Sequence, residues 1–406
     1  MNNNQEKLES YLSALVEELA VPEGRYAEAN RSYQSFGKWL HREDSTVLRF
    51  DPDVYLQGSF KLGTVIRPHG KDDDYDVDAV CLFNGLSKDR LTQKTLKDRF
   101  FIEVESYRKK ERMVKPVEEK SRCWRLSYAD GAQFHMDLLP ALPNGQDMRK
   151  MLEAKQLDFN YADTAIAITC TESDTYEKRS EDWPRSNPKG YAEWFKGRME
   201  VVFNERRQLL LEKMRKRVVK ASIEDIPEYE VRTPLQSTIM ILKHHRDTMF
   251  ADDTEEKKPI SIILTTLAAH AYAGERDIVS ALKKILTDMG GFVQHDGSKY
   301  VILNPTDALE NFADKWEEHP ERAEAFHDWL REAQRVFLKI LDVSDQIVIN
   351  EHVSKGIGKD LGGRVLAKAM GTTASGLLAP AAAAAQAPPL SFSDQRRDTE
   401  GPKDFG

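Results

Sequence analysis

The stretch QGSFKLGTVIRPHGKDDDYDVDAVCLF, from Gln57 to Phe83, decides the fold because it ends in an apolar run that carries two acidic residues, Asp76 and Asp78. Side chains of a β-strand alternate between its faces, so both carboxylates are expected on one face, about 6.6 Å apart along the backbone. Unpaired charges there would carry a desolvation penalty of about several kcal/mol each. The pattern therefore predicts that the charge of the two carboxylates is compensated by metal ions or basic side chains, or that both are fully exposed at the strand end.

A third acidic residue, Asp137, lies in the alternating run FHMDLL. Mg²⁺ prefers oxygen ligands, commonly one or two carboxylates together with substrate phosphates. Three carboxylates on adjacent strands could hold two Mg²⁺ ions about 3.5–4 Å apart, one for an attacking hydroxyl and one for a leaving pyrophosphate, with Mn²⁺ as the alternative ion. On this interpretation Asp137 is also the candidate general base. His135, two residues earlier, could share its face and contact a nucleotide.

The dipeptide Gly58-Ser59 is a candidate phosphate-binding turn. It follows an extended stretch at 54–56 and precedes a short helical run at 60–65. Glycine lets the backbone approach a phosphate closely, and a serine at a helix start adds a hydroxyl and an N–H where the helix dipole favours anions. Most Gly-Ser dipeptides are ordinary turns, so this signal gains weight only from the acidic residues that follow.

Apolar periodicity divides the chain into regions. Helical spacing predicts one helix at residues 6–20 and a second after Pro22. Short β-rich runs then predict a mixed α/β region, with strands at Val77 to Phe83, Trp124 to Tyr128, Phe134 to Leu139 and Ala165 to Cys170. Residues 171–189 read as a loop, either a linker or a lid. From 190 to about 370 the pattern predicts helices throughout, at Tyr191 to Ala221, Leu235 to Met249, Ile260 to Tyr272 and Ala308 to Leu341.

Composition narrows the class of protein. The 406 residues carry 59 Lys+Arg against 67 Asp+Glu, a net charge of −8 that disfavours a long nucleic acid as the default partner. The three cysteines have no CxxC spacing, so neither a disulfide framework nor a zinc ribbon is expected, and a reducing, cytoplasmic location fits best. No apolar run approaches the ~18 residues of a membrane helix, and no signal peptide is recognisable, so no membrane association is expected.

With these motifs the sequence resembles the polymerase-β-like nucleotidyltransferases, and more narrowly the cGAS/DncV-like family (CD-NTases) that makes cyclic oligonucleotide second messengers in bacterial anti-phage systems. The likeness covers roughly residues 50 to 345 and rests on the Gly-Ser turn, DYDVDAVCLF, HMDLLPAL and SNPKGYAEWF at 186–195. It implies that Lys243, in LKHHRD, and Ser261, in KPISIILTTL, help to hold the donor triphosphate. Without the resemblance, each reads as a solvated lysine or a helix cap.

The expected fold is α/β plus α. A nucleotidyltransferase core of mixed sheet and helices, with the N-terminal helices (1–172), is joined by a loop (173–189) to a C-terminal helical bundle (190–371), and a disordered tail (372–406) follows. The NTP site is expected in the cleft between core and bundle. Asp76, Asp78 and Asp137 are the expected metal-binding and catalytic residues, and Gly58, Ser59, Lys243 and Ser261 the nucleotide-binding ones.

Three further features of the sequence suggest a function but also have ordinary explanations. The basic run Arg206 to Lys220 matches a region that contacts an activating nucleic acid in animal relatives, but the negative net charge and the lack of interleaved aromatics favour a solvated helix face. The adjacent His244 and His245 point about 100° apart on a helix and cannot share a metal. Gly406, at the end of the tail, resembles the tail glycine that a ubiquitin-transfer-like partner couples to a target in some relatives.

The reaction expected from the resemblance joins ATP, GTP or another NTP into a cyclic di- or trinucleotide with release of pyrophosphate. One alternative is a template-independent transferase that adds nucleotides to an RNA end, which the acidic balance disfavours. An alternative of another class is an inactive nucleotide-binding sensor, which the presence of all three carboxylates disfavours. The sequence leaves the bases, the ring size, the 2′ or 3′ linkage and the need for an activator open.

Overall fold

The computed structural model describes residues 3–68, 75–128, 134–215, 230–297 and 299–371. The helices of these residues are α1 Asn3–Leu19, α2 Glu23–Leu40, α3 Gly58–Leu62, α4 Gln93–Lys110, α5 Gly145–Ala154, α6 Pro188–Arg215, α7 Pro234–Met249, α8 Ser261–Ala271, α9 Ile278–Asp288, α10 Pro320–Phe337, α11 Gln346–Ile357 and α12 Lys359–Ala369. The strands are β1 Pro52–Leu56, β2 Tyr75–Phe83, β3 Glu118–Glu119, β4 Trp124–Ser127, β5 Phe134–Pro143, β6 Ile166–Ile168, β7 Arg185–Ser186, β8 Gln294–His295, β9 Tyr300–Val301, β10 Leu303–Asn304 and β11 Asp307–Asn311.

The main sheet is mixed, with the strand order β1-β2-β5-β4-β3 and with β6 and β7 continuing from the far end of β5. β2 and β5 are parallel neighbours, whereas β1 pairs with β2, and β4 with β5, in antiparallel fashion. A parallel pair needs a crossover connection, which here contains α4 and the short β3–β4 hairpin. The mixed α/β core expected from the sequence is confirmed.

The two faces of this sheet differ because its strands alternate in polarity. On one face, Val77, Ala79 and Cys81 of β2 lie with Met136 and Leu138 of β5 in an apolar core that also includes side chains of α2 and α4. The residues between them, Asp76 and Asp78 among them, point to the other face, which is apolar only towards the far end of the strands. One face therefore anchors the sheet, and the other is left to carry polar groups.

A second, larger core joins α1 to α7, α8, α9, α10, α11 and α12. α1 buries Leu8, Leu12 and Leu15 in this core. Its polar side chains also contact the helical half. The carboxylate of Glu9 accepts hydrogen bonds from the backbone N–H groups of Ile278 and Val279, both at 3.0 Å, at the exposed donors of the α9 N-terminus. The first helix thus packs in the helical core, while α2 packs on the sheet.

The prediction that residues 190–370 are helical throughout is wrong between 294 and 311. Two small antiparallel hairpins, β8–β9 and β10–β11, occupy this stretch, and the helix expected from Ala308 begins only at Pro320. The cause is turn chemistry: Oδ1 of Asn304 accepts hydrogen bonds from the N–H and the hydroxyl of Thr306, both at 2.9 Å, and so closes a turn around Pro305. The residues that follow therefore lie in the short strand β11 rather than at helical spacing.

Several expectations concern residues outside the described ranges. They include the end of the long helix predicted to reach Ala221, of which α6 is described to Arg215, and the last part of the basic run to Lys220. The tail from 372 to 406, with Gly406, lies outside as well. Within the part of the chain that is described, none of the helices is long and apolar enough to cross a bilayer.

Candidate active site

The register of three neighbouring strands brings the predicted acidic residues to one place. Asp78 of β2 lies opposite Asp137 of β5, and Asp76 lies opposite His135. On the other side of β5, Arg125 of β4 lies opposite Asp137. Because all of these residues alternate with buried apolar ones, their side chains share the polar face of the sheet.

Asp78 is more enclosed than Asp76, which is exposed. It packs against the start of α3, where a Cβ added to Gly58 would overlap Oδ2 of Asp78, and Gly58 itself has a φ of +63°, a conformation that favours glycine. Among the described residues, no side chain or backbone amide donates a hydrogen bond to this carboxylate. Burial, followed by the charges of Asp76 and Asp137, raises the pKa of Asp78 to about 7. The nearby charges of Arg125 and His135 oppose this shift only in part, so the negative form of Asp78 is disfavoured at this place.

Asp76 lies nearer the strand end and has polar partners. Nε2 of His135 donates a hydrogen bond to Oδ1 of Asp76. This bond, with the nearby charges of His135, Arg125 and Lys243, outweighs the effect of partial burial and lowers the pKa of Asp76. The two acids of the D-x-D pair therefore have opposite environments, although they lie on the same face.

Arg125 forms the strongest polar contact of the site. Its Nε and Nη2 donate to Oδ1 and Oδ2 of Asp137 at 2.7 and 2.8 Å, and Nη2 also lies 3.2 Å from Oδ1 of Asp76. Such a bidentate pair is among the strongest hydrogen-bonded ion pairs in proteins. The bonds to Asp137 raise the pKa of Arg125 further, so the guanidinium stays charged.

The donor atoms at this place are those that a divalent cation binds. One ligand atom each from Asp76, His135 and Asp137 lies within 4.8 Å of the other two. Asp78 is outside this group, but it lies close enough for the charges of Asp76 and Asp137 to raise its pKa. Carboxylate oxygens suit Mg²⁺ and Mn²⁺, so the chemistry of the donor set fits such an ion.

A cleft of about 910 Å³ opens beside Asp78, between the sheet and the helical half. Gly58, Lys61 and Asp78 line one wall, and Ile260, Ile262 and residues of β11 line the other. The segment that joins the halves, with Trp183 and Arg185, forms a further side. The cleft is large enough for ligands of nucleotide size.

Of the candidate phosphate contacts, Gly58 lines this cleft, whereas Ser59, Lys243 and Ser261 lie outside its described lining. Lys243 of α7 is buried, and its Nζ donates to the backbone oxygen of Thr64 at 3.1 Å, just after α3. Burial lowers the pKa of Lys243 to about 8, against the attraction of Asp78 and Asp76. Ser261, in contrast, begins α8 and accepts a hydrogen bond from Arg246 at 2.9 Å. The structure thus places Lys243 near the acidic residues and Ser261 on a bond within the helical half.

Sequence reasoning missed Arg125 and underrated His135. The alternation of buried Trp124 and Leu126 with Arg125 was readable, and it places the guanidinium on the polar face of β4. What the sequence does not state is that β4 pairs with β5 in the register that sets Arg125 opposite Asp137. Long-range strand pairing, rather than local pattern, assembles this site.

Comparisons with known proteins agree on the family. The family described as "Cyclic GMP-AMP synthase DncV-like, nucleotidyltransferase domain" matches residues 52–140, which include the acidic residues of β2 and β5. A c-di-GMP synthase of Roseivirga ehrenbergii is 30% identical over 324 residues, which are 79% of this chain and 76% of that protein. The cyclic dinucleotide synthase CdnG of Bradyrhizobium diazoefficiens is 24% identical over 323 residues, 77% of this chain and 70% of that one.

Solved structures show the same fold over most of the chain. The Bradyrhizobium diazoefficiens CD-NTase CdnG in complex with GTP matches 90% of this chain and 99% of its own, with a TM-score of 0.63 at 20% identity. Vibrio cholerae DncV in complex with GTP and 5MTHFGLU2 matches 90% of this chain and 88% of its own, with a TM-score of 0.52 at 15% identity. The expected architecture is thereby confirmed, and the chain belongs to the cGAS/DncV-like nucleotidyltransferase (CD-NTase) family and is a nucleotidyltransferase.

Proposed function

We propose that the protein joins nucleoside triphosphates into a cyclic dinucleotide or trinucleotide in a Mg²⁺-dependent reaction that releases pyrophosphate. The observation that carries this proposal is the meeting of Asp76, Asp78 and Asp137 on one polar face beside a cleft of nucleotide size. The two curated relatives, a c-di-GMP synthase and a cyclic dinucleotide synthase, support the cyclic product.

Asp76, Asp78 and Asp137 would hold the divalent ions, with Mg²⁺ as the first candidate and Mn²⁺ as the alternative. Asp78, whose pKa is raised to about 7 by burial and by the charges of Asp76 and Asp137, fits this role because a bound cation would offset the repulsion among the three acids. When bound, such ions lower the pKa of an attacking hydroxyl and stabilise the charge of the leaving pyrophosphate.

The protein's own groups supply orientation and proton transfer. Asp137 is the candidate acceptor for the proton of the 2′- or 3′-hydroxyl of the acceptor nucleotide. Gly58 and Ser59 at the start of α3, Lys243 in α7 and Ser261 in α8 are the candidate contacts of the donor triphosphate. Lys243 fits this role because its buried ammonium lies close enough to Asp78 and Asp76 to be attracted to them, and it would attract a triphosphate bound there as well. A second transfer to the first product would close the ring.

The biological setting is also a proposal. As in the family that the sequence resembles, the product would act as a second messenger in cytoplasmic anti-phage defence of the CBASS type. Gly406 would be the attachment point for a ubiquitin-transfer-like partner. If so, deletion of Gly406 abolishes covalent adducts when the protein is expressed with its operon partners, and unchanged adduct formation contradicts the idea.

Mass spectrometry of products tests the proposed reaction directly. Purified protein is incubated with the four NTPs and Mg²⁺, and the expected products are small cyclic species that resist phosphatase. A ladder of linear products, or labelled RNA in the presence of an RNA acceptor, would favour the end-adding transferase instead. No turnover with any NTP and either metal would favour a nucleotide sensor.

The Asp76→Asn variant tests the role of the acidic residues. It keeps the size of the side chain but removes a charge, so product formation is expected to fall by at least about a thousandfold while the fold is kept. Asp163→Asn is the matched control, because Asp163 pairs with Arg149 at 2.7 Å away from the sheet face and should leave turnover unchanged. An Asp76→Asn enzyme with activity near that of the control would contradict the proposal.

A further inference from the structure

Arg125 occupies the acidic face of the sheet as a cation. Both oxygens of Asp137 accept a hydrogen bond from its guanidinium, and Oδ1 of Asp76 is shared between Arg125 and His135. The Arg125 side chain is only 24% exposed and that of Asp137 only 14%, so water screens this pair weakly.

Arg125 would compete with a divalent ion for the same carboxylates. The ligand atoms that could bind an ion together come from Asp76, His135 and Asp137, and Arg125 is bonded to two of these three residues. An ion that bridges Asp76 and Asp137 would bind the same carboxylates that now accept from the guanidinium, and it would draw electron density away from those hydrogen bonds. It would also place two more positive charges next to a group that stays protonated at every physiological pH.

We propose that Arg125 is a built-in counter-cation of the metal-free enzyme, which holds Asp137 and Asp76 in place and exchanges partners when a divalent ion binds. The inference rests on the proposed metal site and adds to it a positioning residue that sets the metal affinity. An arginine suits this role better than a lysine, because its planar fork orients both oxygens of a carboxylate at once.

Two consequences follow from this exchange. Without metal, Arg125 offsets the repulsion among three acids on adjacent strands, so it stabilises the ion-free fold. With metal, its charge repels the ion and its hydrogen bonds to the shared carboxylates are weakened, so it raises the concentration of ion that is needed to load the site. The guanidinium thus stabilises the metal-free enzyme and thereby weakens the binding of a divalent ion.

The test compares Arg125→Met with wild type by calorimetric titration with Mn²⁺ at fixed pH, without nucleotide. Methionine keeps much of the length and removes the charge, so we expect Mn²⁺ affinity to rise by about tenfold or more. The melting temperature without metal should fall, and saturating Mn²⁺ should recover more of it than it adds to wild type. Arg125→Lys keeps the charge without the fork, and its affinity should lie between the two. If Arg125→Met does not fold, Arg125→Lys carries the test.

Arg149→Met is the matched control, because Arg149 also forms a two-oxygen contact, with Asp163 at 2.7 and 2.8 Å, away from the cleft. Its Mn²⁺ affinity should equal that of wild type. Unchanged or weaker Mn²⁺ binding by folded Arg125 variants would overturn the inference while leaving the proposed function intact. If wild type and Asp76→Asn bind Mn²⁺ equally, the proposed metal site fails first, and the inference about Arg125 fails with it.

Discussion

Gly58 shows how one residue joins backbone conformation to the acidic site. Its φ of +63° starts α3 directly beneath the carboxylate of Asp78, and a side chain there would overlap that carboxylate. The position therefore excludes other residues for two separate reasons, a backbone conformation and a lack of space.

We expect Gly58→Ala to cost about 1–2 kcal/mol of stability from the left-handed conformation, and to lower turnover by about a hundredfold because Asp78 is displaced. Gly274→Ala separates the two causes, since Gly274 has a φ of +95° with no atom within 4 Å of an added Cβ. The control should lose similar stability in denaturant unfolding and keep its activity. Equal turnover of the two variants would show that the contact with Asp78 is unimportant.

His245 makes the stability of the helical half depend on pH. It is fully buried in α7, its Nδ1 has no hydrogen-bond partner among the residues that the structure describes, and burial lowers its pKa to about 4. The unfolded chain takes up a proton near pH 6.5, whereas the folded chain does so only near pH 4. This histidine thus favours the fold fully above pH 6.5, and the benefit is lost as the pH falls towards 4.

Wild type should therefore lose about 2 kcal/mol of unfolding free energy from this group between pH 7 and pH 5, and His245→Gln should not. Urea unfolding of both proteins at the two pH values measures the difference between them, which cancels the titration of all other groups. The variant can be less stable at pH 7, since packing changes, but its pH dependence should be shallower. Parallel pH profiles would refute this account.

At the scale of elements, the segment between the two halves is fixed rather than loose. Lys88 is buried, and its Nζ donates to Oδ1 of Asn144 at 2.9 Å and to the backbone oxygen of Glu181 at 3.1 Å, besides pairing with Asp147. One buried ammonium thus ties the connecting segment to the sheet domain. The sequence predicted a linker or a lid at 171–189, and it could not indicate these contacts because Lys88 lies more than eighty residues earlier.

Lys88→Met should free this segment and speed tryptic cleavage at the exposed Lys178 and Arg179 by about tenfold, which corresponds to about 1.4 kcal/mol of local opening. Lys94→Met is the control, because Lys94 pairs with Glu177 of the same segment at 2.6 Å, but on the exposed surface. Exposed pairs contribute little, so its cleavage rate should stay near that of wild type. Similar cleavage of both variants would mean that Lys88 does not hold the segment.

The elements also show what local pattern can and cannot predict. The strands that carry Asp76 and Asp137, and α1, α2 and α7, were readable because apolar periods of 2 or 3.6 persist over whole elements. The hairpins between 294 and 311 were missed because their strands have two to five residues and depend on side-chain turns such as that of Asn304. The meeting of Arg125 with Asp137 was missed because it follows from strand order, which no local window contains.

At the scale of the whole molecule, the N-terminal helix links the beginning of the chain to its end. α1 packs in the helical core, and the hydroxyl of Tyr11 donates to Oδ1 of Asn350 at 2.8 Å, across 339 residues. The division of the chain at 172 and 190 stays a prediction, but the helical core draws on both sides of it. The halves are therefore expected to unfold together rather than one by one.

A chain that begins at Ala20 tests this coupling. Removal of residues 1–19 takes away Leu8, Tyr11, Leu12 and Leu15, which are all fully buried. Burial of each of these side chains contributes about 2 kcal/mol or more to stability. The sum of about 8 kcal/mol is comparable with the whole stability of an ordinary domain, so we expect no cooperative melting transition in circular dichroism. A chain that ends at Gly371 is the control and should melt as wild type does, because the residues beyond it are rich in alanine and proline and have few large apolar side chains to bury. Cooperative melting of the first chain at the wild-type temperature would place α1 outside the folding unit and leave the helical core to the C-terminal half alone.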